Sequence, residues 1–290
     1  MDKGILYALL CLVAAAVNDF VFKLYARKKR PQGIFVSIIG VVWLIYLLVS
    51  HSFPSDIDLN ATIFWGCLSG FFSAAGNILL IAAMRVLPGG VCSTIYRLNL
   101  VPVILGAWLF LGETLTPLQW VGAFCALCAV VLFSFSGNTG GAEKNTRNIL
   151  IYRAFTMVVI AMLMRAGMGL SYRYGFQHGA NREWVTLINS LFWIAGGPVY
   201  ALFAEKFTLR TIRENHILRY GVTSGMLVAL TVVFMALSLQ NGAASVVLPI
   251  AQMSFLATWF MGLVFLHEKF NVRVLFALAC GTAAVILLSL

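Results

Sequence analysis

Residues 220–266 read YGVTSGMLVALTVVFMALSLQNGAASVVLPIAQMSFLATWFMGLVFL, with no Asp, Glu, Lys or Arg. A helix needs about 20 residues to cross a bilayer core of about 30 Å, so a run of this length predicts two crossings. Gln240-Asn241-Gly242 marks the break between them, a polar pair followed by a turn-permissive glycine. A closed β-barrel is the other structure that satisfies every backbone group in lipid. It needs alternating apolar and polar residues, and this run does not alternate. The whole chain agrees: of 290 residues, 61% are hydrophobic and 10% charged, outside the range of soluble globular domains. The expectation is an all-α, polytopic membrane protein.

Shifted by 155 positions, the second half repeats landmarks of the first. Gly66-Cys67-Leu68-Ser69-Gly70 faces Gly221-Val222-Thr223-Ser224-Gly225, and Phe110-Leu111-Gly112-Glu113 faces Phe265-Leu266-His267-Glu268. Spans of about 20 residues fall at 4–24, 33–51, 62–85, 90–111 and 117–136, then at 149–172, 184–204, 217–239, 245–266 and 273–290. The spacing predicts ten transmembrane helices in two five-helix repeats, 1–137 and 149–290. They are joined by the polar, glycine-rich linker 138–148 into one transport domain. Five is odd, so the second unit enters the membrane inverted relative to the first. Inverted pairs place a binding site near the midplane between the halves and expose it alternately by rocking.

The net charge of +10 does not point to nucleic acid. Its basic residues sit in connections beside apolar runs, where they set topology. Lys3, Arg173 and Arg182 lie on the side of the N-terminus, against fourteen Lys and Arg opposite, among them Arg27-Lys28-Lys29-Arg30, Arg85, Lys206, Arg219 and Lys269. That count puts both termini outside. All six cysteines fall in apolar runs, and the C-x-x-C of Cys125 and Cys128 has no His or acidic neighbour. It reads as small-residue packing rather than a metal or redox site. The first apolar run lacks a small-residue cleavage site.

Ten helices in two halves, with Pro102, Trp108-Leu-Phe-Leu-Gly-Glu113, Trp120, Gly122 and the matching Phe265-Leu-His-Glu268, resemble the drug/metabolite transporter superfamily, EamA-like branch. Lys23 sits where many members carry a lysine. The resemblance covers essentially the whole chain. It implies a small-solute carrier of a bacterial inner (plasma) membrane, often an exporter of amino acids or other metabolites, with no cofactor. Members are commonly drawn with cytoplasmic termini, opposite to the charge count. The second half departs from the first at His267, facing Gly112, and at Ala257, facing Pro102.

A charge well inside a membrane helix costs about 2.5–3.5 kcal/mol or more unless it meets a cavity or a partner. Arg97 is such a charge. The 155-residue shift pairs it with Gln252, and pairs Asn99 with Ser254, so these four are candidates for lining a central cavity. Arg165 is a second intramembrane cation and a further candidate for the cavity. Asn18, Asn77, Tyr96 and Trp193 are further cavity candidates. Asp19 is the candidate carboxylate for proton coupling or an amine contact. It is placed to pair with Lys23 four residues on, or to neutralise Arg97. Glu113 and Glu268 read as caps at helix ends. Gly66/Gly70 and Gly221/Gly225 are G-x-x-x-G pairs that let helices approach closely, at points of packing or gating.

Arg97, Arg165 and Lys23 against Asp19 predict a net positive cavity, suited to a carboxylate or phosphate. An amino acid or related metabolite exporter is the first reading, and a sugar-phosphate or organic-anion carrier the second. A membrane enzyme would need a nucleophile and base, or clustered ligands; the four histidines are scattered and no G-x-S-x-G or H-E-x-x-H occurs. A non-transporting scaffold or channel subunit is the remaining class. The expected partners are a small solute, the lipid bilayer and candidate protons, with the chain acting as a monomer.

Overall fold

The computed structural model describes residues 3–111, 116–135, 144–205, 216–241, 247, 250–268 and 272–290. Every described element is a helix: α1 (Lys3–Arg27), α2 (Gly33–Ser50), α3 (Leu59–Ala83), α4 (Gly89–Arg97), α5 (Leu100–Leu111), α6 (Pro117–Phe135), α7 (Lys144–Gln177), α8 (Arg182–Ala204), α9 (Ile217–Asn241), α10 (Ser254–Leu266) and α11 (Val272–Ser289). Seven helical segments are long and apolar enough to cross a membrane, and three shorter apolar helices accompany them, Pro117–Phe133, Ile250–Leu266 and Val272–Leu288. The chain is a multi-pass helical membrane protein.

Helix starts follow local chemistry. Asp58 accepts from Ala61 N at the start of α3, and Asn181 from Trp184 N at the start of α8. Thr116 and Gln119 form a reciprocal capping box before α6, which satisfies two otherwise orphaned N–H groups. α7 departs from expectation by beginning at Lys144, inside the segment 138–148 expected as linker. Its 34 residues span about 51 Å at the α-helical rise, so its polar start projects beyond the bilayer core.

The expected single span 90–111 is two helices. α4 stops at Arg97 and α5 starts at Leu100. Pro102 has no N–H to offer Leu98 O and would crowd it; that carbonyl is taken instead by Val101 N, a tighter bond. The Asn99 amide, oriented to donate, reaches Tyr96 O and Arg97 O at 3.2 and 3.1 Å. In the expected span 245–266 a second break occurs at Met253, 155 positions after Leu98, with Met253 N bonded to Ile250 O. It forms although Ala257 stands where the first half has Pro102.

α3 packs on α7 and α8, and α9 packs on α1 and α2. α2 meets α8, α6 meets α11 and α4 meets α10; α1 touches α10, and α4 and α5 touch α7. Exchanging the first five spans for the last five leaves this set of neighbours unchanged. A Cβ on Gly66 or Gly70 would come within 2.7 Å of Ile188 or Phe192, and one on Gly221 or Gly225 within 2.6 Å of Ile38 or Val42. Both G-x-x-x-G motifs therefore set a backbone against side chains of the neighbouring helix. Between α2 and α8 the backbones nearly touch at Gly33 and Gly197. Pro198 frees Ile194 O inside α8, and Ser37 Oγ of α2 donates to it at 3.0 Å.

Candidate functional site

A cavity of about 470 Å³ lies among α1, α2, α3, α4, α7, α8 and α9. Its outer part is lined by His51, Arg182, Glu183 and Thr186, near the face that carries the N-terminus. Its inner part reaches Asp19, Asn77, Tyr96, Arg97 and Arg165. None of its described lining residues belongs to the opposite, basic face.

The charges are shared out unevenly. Arg97 Nη2 lies 3.4 Å from Asp19 Oδ2, which also accepts a short bond from Ser93 Oγ. The pair is buried, with Asp19 3% and Arg97 8% exposed. Such a pair offsets much of the cost of placing either charge in the membrane. Arg165 forms no ion pair among the described residues. Its guanidinium stands 5.0 Å over the ring of Tyr96, with Nη1 3.4 Å from the Tyr96 hydroxyl.

Asn18 and Ser224 hydrogen-bond in the wall. Asn77 Nδ2 donates to Ser73 O at 2.9 Å, and Ser73 Oγ accepts from Trp193 Nε1 at 2.9 Å. The structure therefore brings Asn18, Asp19, Asn77, Tyr96, Arg97, Arg165 and Trp193 together around one space. It does not bring Asn99, Gln252, Ser254 or Lys23 to that space. The break after Arg97 turns Asn99 onto the end of α4. Gln252 Oε1 and Ser254 Oγ are buried without a hydrogen-bond partner in the described structure, away from the cavity lining. Of the expected matched pair Arg97 and Gln252, the structure puts Arg97 on the lining and Gln252 off it.

Lys23 turns away from Asp19. Its Nζ donates to Met84 O and Leu87 O at 2.9 and 2.7 Å, and sits 3.9 Å from Glu268 Oε1. Glu268 accepts from Gly89 N at 3.0 Å, so it caps α4 from across the molecule rather than the turn beside it. Glu205 does likewise for α2, accepting from Gln32 N and Gly33 N at 2.6 and 3.1 Å and pairing with Arg85 at 3.3 Å. Two carboxylates at helix N-termini, where the dipole favours them, thus tie helices remote in sequence together at the basic face. Tyr25 stacks on Phe35 at 4.0 Å, and Arg30 covers Tyr220 at 4.6 Å. Glu113 lies outside the described residues, as do linker positions 138–143.

Sequence reasoning missed Trp43, Ser73 and Tyr172 in the cavity wall. One signal was available: Trp43 and Trp193 lie 150 positions apart, the same separation as Ile38 and Ile188. Tyr172 carries no such mark. It is held by Asn189, which also accepts from Ser69 Oγ at 2.9 Å.

Residues 2–135 match the model of the EamA-like transporter family. A solved crystal structure, described only as that of a protein, is similar over 98% of this chain and 94% of its own, with a TM-score of 0.56 and 17% identity; at that identity the likeness is one of fold. An uncharacterised protein of Methanocaldococcus jannaschii is 25% identical over 137 residues, which are 47% of this chain and 99% of that protein. The family match, over the first half of the chain, places that half in the drug/metabolite transporter superfamily and suggests a membrane transporter of small molecules.

Proposed function

We propose that this chain, whose first half is an EamA-like unit, is a secondary carrier that moves a small metabolite by alternating access. The carrying observation is a cavity lined by the buried charges Asp19 and Arg97 and by the half-buried Arg165, with its other charged lining residues, Arg182 and Glu183, at the face that carries the N-terminus. In this reading the two halves form inverted repeats. The exchangeable set of helix neighbours and the paired breaks at Leu98-Asn99 and Met253 support that arrangement. A relative whose entire length corresponds to about half of this chain fits a five-helix unit that was duplicated.

Carriers built this way hold substrate where broken helices meet near the midplane. In this reading Arg97, Tyr96 and Arg165 serve at that level, with Asn18, Asn77 and Trp193 beside them on the cavity lining. The first substrate reading is an amino acid or related metabolite exported across a bacterial inner membrane, and the second is an organic anion. Asp19, sharing one oxygen between Ser93 and Arg97, is the candidate for proton coupling. Counterflow of a radiolabelled metabolite panel in proteoliposomes tests the reading. Accelerated uptake against preloaded unlabelled solute is expected for at least one member, and flux that never saturates would mark a channel instead.

A further inference from the structure

We infer that the cavity takes a singly charged carboxylate, anchored at Arg165, and that it does not read an ammonium group. This rests on the carrier reading, in that it assigns the ligand of the same cavity.

The first argument is charge. The charged residues lining the cavity are Asp19, Arg97, Arg165, Arg182 and Glu183. Arg182 and Glu183 contribute one charge of each sign near the mouth, and Asp19 is paired with Arg97 at 3.4 Å. The positive charge of Arg165 is left over. One monoanion neutralises it; a dianionic phosphate would bring an excess negative charge into a site where excess charge is costly. A zwitterion would leave the excess positive charge in place.

The second argument is hydrogen-bonding capacity. Two residues in the cavity wall have buried nitrogen donors with no partner in the described structure, Arg97 Nε and Trp43 Nε1. A buried unpaired donor is costly and calls for an acceptor. The one buried carboxylate at that level already accepts from Ser93 and Arg97 on the same oxygen. The unmet demand is therefore for acceptors, which a carboxylate supplies and an ammonium does not.

The third argument is geometry. Tyr96 fixes Arg165 through its ring and hydroxyl, the latter engaging Nη1. A guanidinium held on one edge keeps further N–H groups for a two-point contact with a planar carboxylate. Arg97 is less suited as the anchor, because its charge is committed to Asp19.

Matched probes on one apolar body test this: leucine, 2-hydroxyisocaproate and leucinamide, with glucose 6-phosphate as the phosphate arm. Each is titrated against the thermal midpoint of the purified protein and then tried in counterflow. The hydroxy acid is expected to stabilise at concentrations no higher than leucine, and the amide and the phosphate to do nothing. Arg165→Gln should weaken the acid at least about tenfold, and Arg165→Lys should retain part of it. The unliganded midpoint of each variant checks that it folds. A stabilising amide, a phosphate better than the acids, acids that fail to stabilise, or acid binding unchanged in Arg165→Gln each overturns the assignment. If another solute is carried in counterflow while the acids fail, the carrier reading stands and this inference falls.

Discussion

Trp43 of α2 and Trp193 of α8 meet edge to face, ring centroids 6.0 Å apart. They sit at the same station of the two helices, since Ile38 and Ile188 share their 150-residue separation and receive Gly221 and Gly66 respectively. The seam between α2 and α8 thus brings together residues matched at that separation. Its closest approach is at Gly33 and Gly197, where a Cβ on Gly197 would stand 2.2 Å from Gly33 O; at neighbouring Gly196 the nearest atom would be 3.5 Å away. Gly197→Ala should therefore cost about 1–3 kcal/mol or more by overpacking, with Gly196→Ala close to neutral. Thermal midpoints in detergent compare them, and equal midpoints would remove the close approach.

The Arg97–Asp19 pair predicts non-additive behaviour. Asp19→Ala leaves a guanidinium buried without its counter-charge, at a cost of about 3–5 kcal/mol. Asp19→Asn combined with Arg97→Gln removes both charges and should recover most of that. A double variant no more stable than the single would mean that the two charges do not depend on each other.

Much of the fold was legible because bilayer thickness dictates span length and lipid leaves helices as the satisfied backbone for such runs. The expected starts at Gly33, Pro117 and Ile217 coincide with helix starts. The breaks were less legible. Pro102 signalled the first only once Leu98 O was seen to need another partner, and the second has no proline at the matching position. The site was half legible. Isolated polar residues in apolar helices stand out by cost, which marked Asp19, Arg97 and Arg165. Which cation takes the carboxylate is not a matter of spacing: Lys23 is four residues from Asp19, yet its ammonium finds carbonyls at the end of α3, and Arg97 arrives from another helix. Glu205 and Glu268 cap helices remote in sequence, which no local capping pattern announces.

Lys23 and Glu268 should prove unequal partners at the basic face. At 3.9 Å their attraction lacks a direct hydrogen bond. Glu268→Gln keeps an acceptor for Gly89 N and should cost about 1 kcal/mol. Lys23→Met strands Met84 O, Leu87 O and a half-buried carboxylate together, and should cost about 3 kcal/mol. Denaturant or thermal unfolding of both variants checks the order; a larger loss for Glu268→Gln would make the ion pair, rather than the carbonyl contacts, the main restraint.

The direction of the cavity follows from combining its mouth with the distribution of charge. His51, Arg182, Glu183 and Thr186 line the part near the N-terminal face, while Arg27, Arg30, Arg85 and Arg219 belong to the other. The rule that basic connections are retained on the cytoplasmic side predicts that this mouth faces outward. Thr186→Cys should then react with a membrane-impermeant maleimide in intact cells, above the background of the native chain, whereas Arg219→Cys should react in inside-out vesicles. A transported solute should slow the first reaction if it draws the protein toward the opposite state, because such a shift requires different affinities for the two states. The reverse labelling pattern would put the termini in the cytoplasm, as the family habit has it. The cavity would then face inward, and the excess of Lys and Arg would need an explanation other than topology.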